Sequence, residues 1–257
     1  MEGKLVASAI VRLAERQSLE YEKVRLLQQG IGFFEETFDG RGFCLSEKYD
    51  LLSQWRGYAG NATGVAIGFS TEYLTWLSHE NRTPNIPPCM LKMVEYEPAR
   101  HEACVKPIYD KFNQLITEGS LDLPHHPGLL ITGVMTDQQI ETSRTDILRK
   151  ELSTVTPVLA PLLRHLFFLK SHAFQEECEW RILTLLIRNG EDDCLHRVVD
   201  NRIIPYLKVE LVELERSPIV EVILGPKHGT PPKIVENFLK LNGYGLVKVK
   251  HSEASYR

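Results

Sequence analysis

The sequence has no C-x-x-C pair, and its five cysteines, Cys44, Cys89, Cys104, Cys178 and Cys194, are odd in number. A disulfide framework is therefore not expected, and a reducing cytoplasm is the natural compartment. It also lacks a long apolar run. The longest uncharged stretch, Leu123–Thr136, carries two prolines and two histidines, well short of the ~20 apolar residues of a membrane-spanning helix. Glu2, Lys4, Arg12, Glu15 and Arg16 crowd the amino terminus, so no secretory leader is expected. There is no basic excess either: 30 Lys and Arg stand against 34 Asp and Glu, a formal charge of −4. Sequence-independent nucleic-acid binding is not favoured by that balance.

Several familiar chemistries have no carrier. His125 and His126 are adjacent, so a regular element cannot aim both at one metal, and no Cys or His pair completes a zinc pattern. No metal is expected. No G-x-S-x-G elbow or Cys/His nucleophile signature occurs. Gly225-Pro-Lys-His-Gly-Thr230 lacks the spacing of a P-loop, and Pro226 deletes an amide donor. It reads as a strand-to-helix turn with Lys227 as a phosphate-contact candidate. Internal repeats, heptads and low-complexity tracts are absent.

What is present is an ordinary globular composition: 257 residues, 43% hydrophobic and 25% charged, enough for a sizeable core. An apolar stripe from Val6 to Leu27 predicts one helix to about Gln29, stopped by Gly30. Strands are predicted at Arg41–Leu45, Thr63–Phe69 (of buried type), Cys89–Tyr96, Glu179–Ile187, His196–Val199, Ile203–Leu211, Ile219–Leu224 and Leu246–Lys250. Helices are predicted over 51–59, with Asp50 as N-cap and Gly60 as stop, and over 71–79, 98–118 and 232–241. Glu80–Pro88 and Gly119–Pro127 read as loops, and Gly128–Lys170 as helical, interrupted near Pro157 and Pro161. Strands at both ends with helices between them give an α+β fold in one domain over 1–257, with small mixed or antiparallel sheets. The Glu80–Lys170 segment is its largely helical insertion, helical from about residue 97.

Two groups of residues can carry chemistry. On the short helix Gln54 and Tyr58 lie one turn apart, and with Ser46, Glu47 and Arg56 they can line a polar cleft. The competing reading makes Trp55 core, Tyr58 a hydrogen-bonding partner of a loop, and Arg56 a surface or bridging cation. The second group is Phe174-Gln-Glu-Glu-Cys-Glu-Trp-Arg181. In a strand, Glu177, Glu179 and Arg181 project to one face and Cys178, Trp180 and Ile182 to the other. Arg181 then keeps Glu179 ionised, and a fixed carboxylate can stabilise positive charge at an anomeric carbon. The competing reading is a solvated, salt-bridged strand face.

Asp50-Leu-Leu-Ser-Gln-Trp-Arg-Gly-Tyr-Ala59 with Gly64-Val-Ala-Ile-Gly-Phe69 resembles the central signature of the bacterial domain of unknown function family 2971. Phe174–Arg181 with its E-x-E-W-R ending, Arg202–Tyr206, Ile219–Pro226 and the terminal Ser252-Glu-Ala-Ser-Tyr-Arg257 fit the same family, in order, over most of the chain. Members usually begin with a His-Tyr-Thr strand and an Asn-Asp-x-x-Glu motif. Neither is found, and Met1–Gly30 resembles the helix that follows them, so the chain is expected to lack the family's N-terminal segment.

The layout is similar in outline to the ADP-ribosyltransferase superfamily, by analogy of arrangement alone. That likeness implies NAD in a cleft between two small sheets, Ser46 ending the middle strand, and Gln54, Arg56, Tyr58 and Arg181 flanking the cofactor. Glu179 then contacts the nicotinamide ribose and Glu177 orients the acceptor. The expected function is an NAD-dependent ADP-ribosyltransferase-like enzyme acting as a toxin or phage-defence effector. The alternative is a non-catalytic nucleotide- or partner-binding module, degenerate through loss of the N-terminal segment. No membrane partner is expected.

Overall fold

The computed structural model describes residues 3–79, 88–121, 150–188, 194–211 and 217–256. The fold is α+β, as expected. The chain divides into two compact units. The predicted loops at Glu80–Pro88 and Gly119–Pro127 and the predicted helix from Gly128 lie wholly or largely outside the described residues.

The first unit gathers Met1–Asp39, Val94–Phe174 and Leu186–Gly190, and its described part is helical. Helix α1 (Gly3–Arg16) buries Val6, Ala9, Ile10 and Leu13 at helical spacing, and α2 (Tyr21–Thr37) buries Leu26, Leu27, Gly30, Ile31 and Phe34. The expected single helix is thus two. Ser18 takes a left-handed backbone (φ 53°) and its amide turns back to Glu15, closing α1 before Tyr21 restarts the chain. Gly30 does not stop α2 but lies inside it. A Cβ there would sit 2.6 Å from Leu159 Cδ1, so the glycine serves a close approach between elements rather than a terminus.

The first turn of α5 (Pro98–Thr117) opens on a proline, which has no amide to waste there. It buries Val105, Ile108, Tyr109 and Phe112 against the same core. A further helix, α6, is described over 150–159 and passes through Pro157 without interruption; the chain tightens to a 3-10 helix at Ala160–Arg164, around Pro161. Arg16 reaches Glu102 with both terminal nitrogens, at 2.7 and 3.1 Å.

The second unit, Gly40–Met93, Gln175–Leu185 and Glu191–Arg257, holds the sheets. One has the order β1-β4-β3, made by β1 (Phe38–Ser46), β4 (Glu179–Ile187) and β3 (Met90–Met93). Antiparallel register sets Lys92 opposite Arg181 and Met93 opposite Trp180. A second sheet has the order β2-β7-β8, from β2 (Val65–Phe69), β7 (Ile219–Leu224) and β8 (Lys248–His251). Strand β2 pairs antiparallel with β7, and β8 pairs parallel with it. The parallel pair is joined through α7 (Pro232–Leu241), the crossover that parallel strands require. A hairpin of β5 (Leu195–Val199) and β6 (Arg202–Tyr206) forms a two-stranded sheet.

Strand β2 is not of buried type. It lies at a sheet edge, and Val65 and Ile67 are exposed on one face while Ala66 packs on the other. A short helix, α3 (Leu52–Tyr58), precedes it and α4 (Thr71–His79) follows it. Asp50 does not cap α3: Leu51 holds the N-cap position, with no side-chain cap, and the Asp50 carboxylate turns elsewhere.

Candidate functional site

The carboxylate pair of the E-x-E-W-R stretch is split by its own backbone. Cys178 adopts φ 43°, in the left-handed region, so the chain turns between Glu177 and Glu179 instead of alternating through them. Glu177 ends a 3-10 turn (His172–Glu177) and Glu179 begins β4. The expected one-face trio Glu177, Glu179 and Arg181 is therefore a pair plus an outlier.

The pair points inward. Arg181 Nε donates to Glu179 Oε1 at 2.6 Å and a terminal nitrogen donates to Oε2 at 3.0 Å. This is a two-pronged fork, with side-chain exposures of 8% and 6%. Leu183 is buried at the next same-side position, and Trp180 and Ile182, expected as the core face, are half-buried on the other. The cross-strand register puts Lys92 on the same face as Arg181. Arranged this way, the fork neutralises Glu179 and fixes its direction, which suits a rigid support for whatever lies at the strand's entrance.

Glu177 occupies that entrance. Tyr58, exposed at the end of α3, donates its hydroxyl to Glu177 Oε1 at 3.4 Å. Ser46, the last residue of β1, lies with its Oγ 2.8 Å from the Glu177 carbonyl and 2.9 Å from that of Lys48. The next amide, Glu47 N–H, donates to the Cys178 carbonyl at 3.0 Å. Ser46 and Tyr58, from the first sequence group, thus meet Glu177, from the second, at one rim. Gln54 is half-buried one turn before Tyr58.

Arg56 belongs to a different neighbourhood. Its guanidinium lies over the Tyr256 ring at 5.2 Å, and Lys227 Nζ lies over the same ring at 3.7 Å, both favourable cation–aromatic placements. Tyr256 hydrogen-bonds Asn61. The bridging-cation reading of Arg56 describes this contact. Beneath it Gly60, Asn61 and Ala62 run with φ 56°, 55° and 72°, a left-handed stretch locked by Lys227 N–H to Ala62 O and Gly225 N–H to Gly64 O. Gly225 has no alternative. A Cβ on it would fall 2.5 Å from Ala62 O and 2.9 Å from Gly64 O.

Sequence reasoning missed the hub of this neighbourhood. Asp50 accepts from Trp55 Nε1 at 2.6 Å, from Ser252 Oγ, and from the Glu253 amide at 2.7 Å, and Trp55 is buried beside Ala62 and Ile223. Partial burial opposes charge on Asp50, but the hydrogen bonds from Ser252, Trp55 and the Glu253 and Ala254 amides outweigh it and hold its carboxyl below the usual aspartate value. Lys250, hydrogen-bonded to Glu221 at 3.0 Å and set over the Tyr49 ring, is pushed above the usual lysine value, chiefly by Glu221. The signal was in the sequence: the D-L-L-S-Q-W-R and S-E-A-S-Y stretches were both noticeable. Only their pairing was not.

Among the described residues, no group of three or more His, Cys, Asp and Glu side chains is placed to hold a metal ion, and no helix is long and apolar enough to cross a membrane. The family model described as a protein of unknown function (DUF2971) matches residues 54–182, a span that begins in α3, at Gln54, and ends in β4, just past Arg181. The chain belongs to that family. No curated protein and no solved structure matches it.

Proposed function

We propose that this member of the family binds NAD at the rim formed by Ser46, Tyr58 and Glu177 and transfers ADP-ribose from it, in the manner of an ADP-ribosyltransferase. The observation that supports the reading is the convergence of one hydroxyl and one phenol on a rim glutamate anchored over a buried, forked Glu179–Arg181 pair. Glu177 is the carboxylate that faces ligand. Its oxygens accept from a ribose hydroxyl and stabilise the positive charge that grows at C1′ as the bond to nicotinamide breaks. An acceptor atom forms the new bond to C1′, nicotinamide leaves with the electron pair, and the acceptor's proton passes to carboxylate. Glu179 is a positioning residue in this scheme, and Arg181 its partner. Gln54 stands one turn before Tyr58 on the same short helix and is the further polar side chain offered to the cofactor, whereas Arg56 is held over the Tyr256 ring.

The experiment is incubation of the purified chain with NAD labelled in its ADP-ribose portion together with cell extract. Wild type transfers label and releases nicotinamide; Glu177→Gln does neither while keeping its fold.

A second reading has its own observation. Both oxygens of Glu179 are taken up by Arg181 and sealed from water, the state of a structural carboxylate. That favours a non-catalytic nucleotide-binding module using the same rim. Calorimetry separates the two: NAD binding that is lost in Tyr58→Phe and Glu177→Gln, without nicotinamide release by wild type, supports the module.

A further inference from the structure

A cavity of about 520 Å³ opens on the face of β4 that carries Ile182 and Thr184. Strand alternation puts this on the opposite side from Glu179 and Arg181, so the cavity is separate from the rim described above. Strand β1 contributes Arg41 and Phe43, α4 contributes Leu77, and the β5–β6 hairpin contributes Arg197, Ile204 and Tyr206. The size lies within the range of small-molecule sites.

Two features of the lining select a ligand. The body is apolar: Phe43, Leu77, Ile182 and Ile204 line it together with Pro205 and Val209. The charge is of one sign, because Arg41 and Arg197 line it and no Asp or Glu does among the described residues. Gly40 and Gly42 alternate with Arg41 and Phe43 along β1, and a Cβ on Gly42 would turn to the other face, 3.7 Å from Leu183 Cδ1. Arg197 is preorganised by lying over the Tyr206 ring at 5.7 Å, with its backbone in the paired register of the hairpin. A guanidinium fork beside an apolar chamber suits a carboxylate head and rejects a cation.

We propose that this cavity binds an apolar monocarboxylate, its hydrocarbon body among Phe43, Leu77, Ile182 and Ile204 and its carboxylate on Arg197 with Arg41 adjacent. Thr184 and Tyr206 supply hydroxyls for the remaining carboxylate lone pairs. The hairpin is only two strands, marginal by itself in water, and the occupied cavity ties it to the β1–β4 face.

The test is calorimetric titration of the full chain with decanoate, 2-naphthoate and the uncharged decanol. Wild type is expected to bind at least one of the two acids saturably, and decanoate at least about tenfold more tightly than decanol if the body is aliphatic. Preference for 2-naphthoate assigns an aromatic body instead and equally supports the site. Arg197→Gln, at an exposed position, should abolish the preference of acid over alcohol. Ile204→Glu, which adds a carboxylate to the lining, should lose the acids and retain decanol. The proposal is overturned if neither acid binds saturably, or if both variants bind the acids as wild type does. Unchanged NAD handling in Arg197→Gln would keep this result independent of the rim.

Discussion

Ser252 donates its hydroxyl hydrogen to Asp50 across 202 positions of sequence. The same carboxylate also accepts from Trp55 Nε1 and from the Glu253 amide. It joins a stretch near the start of the second unit to Ser252 and Glu253, each side supplying half of a latch. The latch also sets Tyr256 where Arg56 and Lys227 can cover its ring.

Replacing Asp50 with Ala strips the Trp55 indole N–H of its acceptor in a buried setting, and should cost about 2 to 3 kcal/mol of stability. Asp50→Asn should cost less at neutral pH, since an amide oxygen still accepts. The folded carboxyl titrates below its unfolded value, so its contribution is complete above the unfolded value, about 4, and disappears as pH falls through the folded one. The stability gap between wild type and Asp50→Asn should therefore narrow between pH 7 and pH 3. Urea midpoints at the two pH values measure it, and a gap that widens toward acid would refute the assignment.

The Glu179–Arg181 fork makes a different prediction. Arg181→Met takes the two-pronged counter-charge away from a buried carboxylate and should destabilise by about 3 to 5 kcal/mol. The double variant Glu179→Met with Arg181→Met should recover most of that loss, because two apolar side chains can occupy the same space. Arg181→Lys should fall between wild type and Arg181→Met, since an ammonium cannot present two parallel N–H donors. Chemical denaturation of the four proteins gives the answer.

Gly225 and Gly42 offer a matched pair. At Gly225 an added methyl meets backbone oxygens that cannot move aside, whereas at Gly42 it meets ordinary neighbours. Gly225→Ala should lower stability by about 1 to 3 kcal/mol or more, and Gly42→Ala should change it by no more than about 0.5 kcal/mol. Thermal unfolding of the two single variants checks the contrast.

How far the sequence could be read follows from where local and long-range forces agreed. Strands β4 and β7 and helices α4, α5 and α7 were legible because turn residues, prolines and apolar spacing all pointed the same way. Gly30 misled because a glycine at a helix end and a glycine at a tight contact look identical until Leu159, 129 positions later, is in place. Asp50 misled for a related reason: aspartate before a helix usually caps it, but here Ser252 and Trp55 compete for the carboxylate and win. The E-x-E strand failed at one residue, Cys178, whose left-handed backbone nothing in a single sequence announces. Its consequence is large, since it leaves Glu177 at the rim and sends Glu179 inward. Ser46 and Tyr58, read in one group, meet Glu177 of the other at one rim, while Arg56 lies over Tyr256, an aromatic partner beyond the reach of helical spacing.

The reading of the rim as an NAD-consuming centre is tested most directly by the rate of nicotinamide release from NAD by purified wild type and Glu177→Gln, at equal thermal stability. Release by wild type, with a fall of about a hundredfold or more in the variant, is the predicted result. Release that proceeds at the wild-type rate without the Glu177 carboxylate would contradict it.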